Sequence, residues 1–317
     1  MKSRLLNLLK IGLSLGLLAL LFTRIGIGEA MGAIRRMDLR AFAAALSLFL
    51  LGVLIRAYRW QGLLEAVQLR APLRRLVVLY FVGSFFNTFL PTGVGGDVVR
   101  VYELSRDSRR TSESVGTVFV DRLAGLVVLF GLAIVALPFS RGLITTELKW
   151  VILAIAGGGI LAAWLLFQRS WADRVLRRLP FGDRLRGKVM DLYQAVHACG
   201  TGAMGRVLGV SLLFNLLLIS VVAVLALGLG IRVSLWYFLL FVPLISFSLT
   251  LPISISGLGV RETAFVLLFG QAGVEQPQAF ALSLAFYGVT VATGLVGGAL
   301  YALEGMRGLV GPSVREG

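Results

Sequence analysis

Cysteine and histidine are almost missing from this chain. Cys199 is the single cysteine, which excludes an intramolecular disulfide and any cysteine-based metal site. His197 is the single histidine, so a Ser-His-Asp arrangement has one candidate, in a polar segment, and a histidine metal centre has none. Acidic residues are scarce too: 16 stand against 31 Lys and Arg, for a formal net charge of +15. There is no clustered acidic motif and no nucleotide loop ending in Lys-Ser/Thr. The expectation is therefore no metal, no cofactor and no catalytic residue.

What is abundant is hydrocarbon. Apolar residues make up 57% of the chain and charged residues only 15%, with a mean hydropathy of +0.88. A soluble domain carries about a quarter charged residues. The runs Leu5 to Phe22, Ala41 to Ile55, Val115 to Phe139, Trp150 to Phe167, Val207 to Gly230 and Phe280 to Leu303 each approach or exceed the ~20 residues that cross about 30 Å of hydrocarbon. The first run follows Lys2 and Arg4 but ends in "LLFTRIG", without the small-x-small site of a signal peptide, and reads as an uncleaved span. Gly12/Gly16 and Gly294/Gly298 predict close helix packing, and Asn215 a helix–helix hydrogen bond.

The basic residues set the orientation. Lys and Arg collect on the cytoplasmic side, which places inside the Met1 to Lys10 head, the Arg56 to Arg75 segment, Arg100 to Ser114 and the stretch Gln168 to Gly205. Only the loop with Arg24, Arg35, Arg36 and Arg40 falls outside. Both termini are then cytoplasmic and the location is the cell (inner or plasma) membrane. A positive balance distributed this way does not call for nucleic acid. Within the connector, Trp171 to Ala195 mixes basic and apolar residues at helical spacing, as an interfacial helix or a solvated linker does.

One stretch interrupts the hydrocarbon: "NTFLPTGVGGDVVR", Asn87 to Arg100. The apolar segment before it, Leu76 to Leu90, starts inside, and the chain must be inside again at Arg106. A short helix in, a turn at Pro91 to Gly96 and a return satisfy both. Proline removes a backbone donor, and glycine permits a tight reversal. Irregular backbone at that depth must be buried in protein or line a watery cavity. Pro91, Gly93, Gly95 and Gly96 thus read as a specified break. "SLTLPISISGLGVRETAF", Ser248 to Phe265, repeats the design with Pro252, Gly257 and Gly259, and in both the arginine, Arg100 or Arg261, stands nine residues after the proline. Threading brings the second break in from the opposite face, the layout of an inverted repeat with a substrate site between broken helices.

"FFNTFLPTGVGGDVVRVYEL" and "LPISISGLGVRETAF" resemble the two signature segments of the flippase-like family, also called the lysylphosphatidylglycerol synthase transmembrane region family. The resemblance covers nearly the whole chain. It implies an all-α polytopic integral membrane protein whose work is to move a phospholipid between leaflets. In two-domain members a soluble domain makes an aminoacylated lipid. Here the longest polar stretch, 168–205, is too short for one, so lipid synthesis is not implied. The chain is read as a single membrane domain, 1–317. Its first half is 1–165 with a break at 87–100, its basic cytoplasmic connector is 168–205, and its second half is 206–305 with a break at 248–262. That is about six full spans and two broken or re-entrant elements, about eight membrane elements in all.

Charged residues in such a chain face cavities or partners. Arg100 and Arg261 are the candidates for gripping a phosphate, since a guanidinium can hold two oxygens at once. Asp97 lies one turn before Arg100 and pairs with it when no lipid is bound. Glu262 directly follows Arg261, and adjacent helical positions do not face each other, so no pairing is expected there. Asp121 and Arg122 either reach the same cavity or form a fixed ion pair. Asn87, Thr88 and Thr92 either donate to a headgroup or cap the broken backbone. The function expected is translocation of an anionic phospholipid or a polyprenyl-phosphate-linked lipid. The alternatives are a membrane-embedded lipid-modifying enzyme, with Asp97 and Glu262 as an acid–base pair if the fold joins them, or an accessory subunit of a lipid- or glycan-synthesis enzyme. The expected partners are membrane lipids with anionic headgroups, with a partner enzyme or a second copy of the chain left open.

Overall fold

The computed structural model describes Gly16 and residues 26–90, 95–140, 142, 144–168, 200–250, 254, 256–306 and 315–316. The expected first span, apart from Gly16, lies outside the described residues. So do most of the connector and Pro91, Thr92, Gly93 and Pro252.

The described elements are almost entirely helical. They are α1 (Ile27–Arg35), α2 (Leu39–Ala66), α3 (Leu73–Phe89), α4 (Gly95–Ser108), α5 (Thr111–Ala136, continued by a 3-10 turn at Leu137–Ser140), α6 (Thr146–Phe167), α7 (Gly200–Gly228), α8 (Leu235–Thr250), α9 (Val260–Gln271) and α10 (Gln276–Met306). Two-residue strands, β1 (Leu69–Arg70) and β2 (Arg315–Glu316), form the one short antiparallel pairing among them. Five helices, α2, α5, α6, α7 and α10, are long and apolar enough to cross a bilayer. By contrast α3, α4, α8 and α9 have 17, 14, 16 and 12 residues, short of the ~20 that a crossing needs.

The short helices form two hairpins. In the first, Arg75 near the start of α3 pairs with Glu103 and Asp107 near the end of α4. At the other end, the backbone of Gly83 touches that of Gly96. In the second hairpin, Phe269 of α9 meets Phe238 of α8 at a tilt and Phe241 edge-on, while Leu249 at the end of α8 meets Gly257. The turn of that hairpin runs through Ser256, Gly257 and Gly259, all at positive φ (50°, 77° and 81°). Such angles suit glycine, which has no Cβ to clash. Helix α3 ends at Phe89 and α4 begins at Gly95; α8 ends at Thr250 and α9 begins at Val260.

Caps start these helices where the hydrocarbon pattern alone does not. Asp38 accepts from the amide of Arg40 ahead of α2, and Thr145 from that of Leu148 ahead of α6. At α4 the cap comes from a neighbouring helix: Asn87 Oδ1 accepts the Gly96 amide at 2.8 Å. At α9, Glu262 Oε2 accepts the Gly259 amide at 2.7 Å. Each satisfies an orphan donor that a helix N-terminus otherwise leaves bare.

Applying the offset between Arg100 and Arg261 to α2, α3, α4 and α5 lands on α7, α8, α9 and α10. The packing follows the same correspondence. α3 lies along α10 and its counterpart α8 along α5, while α2 packs on its own counterpart α7. α2 and α7 run antiparallel: Asp38 N–H donates to Gly228 O, Gly52 faces Phe214, and Arg59 reaches Ser211. The hairpin tips meet, Ser256 Oγ donating to Leu90 O at 2.9 Å. Of the two glycine pairs expected to pack closely, Gly294/Gly298 does so, whereas a Cβ on Gly16 would meet nothing within 4 Å and Gly12 lies outside the described residues. Gly294 abuts Thr88 and Phe89, Gly298 abuts Phe85, and a Cβ on Gly297 would collide with the Phe81 carbonyl. Asn215 donates to the Gly125 carbonyl of α5 at 3.0 Å.

One sequence expectation needs correcting here. The second span does not end at Ile55 with a cytoplasmic segment beginning at Arg56. Helix α2 continues to Ala66, and Arg59 is 4% exposed inside the bundle. At about 1.5 Å per residue, Arg56 and Arg59 lie roughly 15 and 10 Å inside the end of their helix. They are accommodated because partners on α3, α5 and α7 surround them.

Candidate functional site

Four helices bring a carboxylate, a phenol and two guanidiniums together at mid-length. Asp121 of α5, 1% exposed, accepts from Arg59 Nε at 2.7 Å through Oδ1. Its Oδ2 accepts from the Tyr80 hydroxyl of α3 and, at 3.4 Å, from Arg100 Nη2 of α4. Arg59 also donates to Ser211 Oγ at 2.9 Å. The Arg100 guanidinium lies 3.8 Å from the Tyr80 ring centroid and 4.1 Å from that of Trp60. Trp60 meets Tyr80 edge-on and donates to Thr117 Oγ1. Cation–π contacts of this desolvated kind contribute about 1–2 kcal/mol each. Burial is tolerable because each carboxylate oxygen is used and opposite charges adjoin.

Asp97 links this centre to the surface of the bundle. Its Oδ1 is 3.3 Å from Arg100 Nη1, and its Oδ2 pairs with Arg122. The expected pairing of Asp97 with Arg100 is present. Asp121 and Arg122 divide their roles: Asp121 is locked among arginines, while Arg122 is part-exposed beside Asp97.

A cavity of about 160 Å³ opens against the cluster, lined by Arg56, Tyr80, Asn87, Thr88, Asp97 and Arg100, with Thr290 of α10 across from them. Arg100, 2% exposed, leaves its Nε without a hydrogen-bond partner. Arg56 is half-buried and lies over the rings of Tyr80 and Phe214, at 4.8 and 5.3 Å. It makes no hydrogen bond or ion pair with any described residue. Two guanidiniums therefore line one small space, that of Arg56 with no hydrogen bond or ion pair among the described residues and that of Arg100 held by Asp97 and Asp121. Asn87 spends its oxygen on the Gly96 amide, which settles its capping role and leaves its Nδ2 on the cavity wall. Thr88 donates to the carbonyl of Ser84.

The second break is built differently. Arg261, 4% exposed, pairs with Glu262 through both Nε (3.1 Å) and Nη2, and lies 4.0 Å from the Tyr287 ring centroid. The expectation that these neighbours do not pair is wrong. Capping Gly259 fixes the Glu262 carboxylate at the helix start, and the long arginine side chain folds back onto it. Neither residue lines the Arg56–Arg100 cavity. Nor do Asp97 and Glu262 meet, since each belongs to a different ion-pair cluster.

Arg56, Arg59 and Tyr80 were missed as site residues by sequence reasoning. A signal for the first two existed, two arginines at i and i+3 on one helix face, but a hydropathy window ends a span at its first charge. Tyr80 looks like any aromatic in an apolar run.

Helices of this length, hydropathy and buried-charge content define a polytopic helical membrane protein. A family model described as the lysylphosphatidylglycerol synthase TM region matches residues 7–298, and the chain belongs to that family. It is also similar to a UPF0104 membrane protein of Pyrococcus horikoshii, 28% identical over 123 residues. That match covers 38% of this chain and 36% of the relative's own length.

Proposed function

We propose that the protein moves an anionic lipid between bilayer leaflets, holding its phosphate between Arg56 and Arg100. The observation that carries this reading is the pair of guanidiniums lining one cavity within the bundle, Arg56 having no ion-pair partner among the described residues. Unpaired charge inside a membrane protein is expensive and marks a ligand or ion path, and a phosphate is the natural partner for convergent guanidiniums. The cavity has a volume of about 160 Å³. That volume suits a phosphate group and is too small for a whole lipid. The family name, which refers to a phospholipid, supports the same class of ligand. In this reading Asp97 holds the place of the phosphate while the site is empty, and Arg261 with Glu262 supports the second hairpin.

Arg56 gives the cleanest test, because its removal strands no carboxylate. In proteoliposomes, Arg56→Gln is expected to slow transfer of a fluorescent anionic phospholipid about 10- to 100-fold, the loss of one charge-assisted hydrogen bond, with unchanged thermal stability. Arg56→Lys is expected to recover part of the rate. Transfer at the wild-type rate by Arg56→Gln sinks the proposal, and a chemically altered lipid product favours the enzyme alternative.

The reading also treats the two helical units as inverted repeats. Support comes from the matched element order and from α2 and α7, which are counterparts and antiparallel. The outer ends of the two hairpins then emerge on opposite faces. Single cysteines at Arg109 and Gln271, both exposed and in a Cys199→Ser background, are expected to react with an impermeant maleimide from opposite sides of intact vesicles. Reaction of both from one side excludes the inversion.

A further inference from the structure

A second, larger space lies beside the phosphate cavity. Between α4 and α5 runs a groove of about 720 Å³, walled by Val98, Val101, Tyr102, Val115, Val118 and Phe119. Its walls are apolar, and several of these side chains stand well exposed, Val98 at 62%. Its ends are polar. Asp97 and Arg122 stand at one end; Ser105, whose hydroxyl has no hydrogen-bond partner among the described residues, Arg106 and Thr111 stand at the other. Along α4 the distance from Asp97 to Arg106 is about 13 Å at 1.5 Å per residue.

We infer that this groove holds the hydrocarbon chain of the same anionic lipid whose phosphate enters the Arg56–Arg100 cavity. The inference rests on the reading above. Asp97 lines both spaces, so the phosphate cavity opens beside the apolar wall with one side chain between. Charge complementarity points the same way. Arg122 stands on the groove side of Asp97 and Arg100 on the cavity side, so an anionic group at the junction meets guanidiniums on both flanks. A groove of this volume lies in the usual range for small-molecule sites. The adjoining cavity has no room for a partner helix, which leaves a slender amphiphile, charged at one end, as the occupant that fits both spaces.

The test uses the full chain in nanodiscs, with two photoreactive probes carrying the same diazirine-bearing acyl chains. One is a phosphatidic acid and the other a neutral diacylglycerol, so they differ only in the phosphate. Peptide mapping is expected to find phosphatidic acid adducts concentrated on Val98, Val115 and Phe119, at least tenfold above those of diacylglycerol. Arg56→Gln is expected to bring the two probes level. Val98→Trp and Val115→Trp, made separately in case one fails to fold, are expected to reduce groove adducts at least fivefold, whereas Leu267→Trp on the exposed face of α9 leaves them unchanged. Equal groove labelling by the two probes in wild-type protein, or phosphatidic acid adducts spread over other exposed faces, overturns the inference. A parallel arm keeps it distinguishable from the phosphate reading: inorganic phosphate alone is expected to raise the melting temperature of wild-type protein but not of Arg56→Gln. If phosphate stabilises and the groove goes unlabelled, only the groove inference falls. If phosphate gives no shift, the headgroup reading falls, and the groove inference with it.

Discussion

Asp121→Ala is expected to melt far below the wild-type protein, or to be lost during purification. Asp121 is the carboxylate on which α2, α3, α4 and α5 converge, accepting from Arg59, Tyr80 and Arg100. Removing it leaves two guanidiniums, 4% and 2% exposed, against a neutral methyl. Breaking a buried ion pair from one side costs about 3–5 kcal/mol, a large share of the roughly 5–15 kcal/mol that holds a folded domain together. The check is a thermal melt in mild detergent, read by loss of the monodisperse peak. Asp121→Asn is expected to fall between the two, since it keeps an acceptor for Arg59 but not the charge. Removing both partners of one pair, in Arg59→Met with Asp121→Leu, is expected to restore part of the loss relative to Asp121→Ala. An Asp121→Ala protein with the wild-type melting temperature contradicts the structure of this centre.

The second large effect belongs to Gly96. A Cβ there would run into the carbonyl of Gly83 and approach Asn87 Nδ2 to 2.7 Å. The first obstacle is main chain, which cannot rotate away, so Gly96→Ala must push α4 off α3. Overpacking of this kind costs about 1–3 kcal/mol. The functional loss is expected to be larger than that figure, because Asp97 and Arg100 ride on the displaced helix and Asn87 would lose its grip on the Gly96 amide. Lipid transfer in vesicles is expected to fall to background even if the protein survives purification. Gly131→Ala in α5 is the control: a Cβ there meets nothing within 4 Å, and replacing a helical glycine by alanine gains up to about 1 kcal/mol. Equal behaviour of the two variants rules out the close hairpin contact.

The features that were legible in the sequence are those written locally. A Leu-Pro followed by glycines and an arginine reads as a backbone break whatever surrounds it, and α3 and α8 end at Phe89 and Thr250, just ahead of that pattern. Long apolar runs gave the spans, with ends displaced by several residues wherever a charge lies inside a helix. The site was harder to read because its chemistry joins distant residues. Nothing near Arg59 says that Asp121 awaits it on another helix. The repeat misled as well as helped. It aligns Arg100 with Arg261, yet the surrounding positions differ: at the same offset Arg56, Arg59 and Asp121 correspond to Leu217, Ser220 and Leu282. The buried charge is therefore concentrated in the first unit, and Arg261 answers to a carboxylate beside it. That neighbour contact escaped a rule about helix faces because the rule concerns backbone geometry, while an arginine side chain is long enough to bend around it.

The bond from Ser256 Oγ to the carbonyl of Leu90 has a bearing on how the chain is assembled. Leu90 caps the end of α3. The donor to its carbonyl arrives only with the second hairpin, made much later in synthesis. Until then the first hairpin lacks this contact at its tip. The first hairpin gains this contact only when the second arrives, so the two halves are expected to mature together, and a chain cut in the connector is expected to yield fragments that need each other to persist.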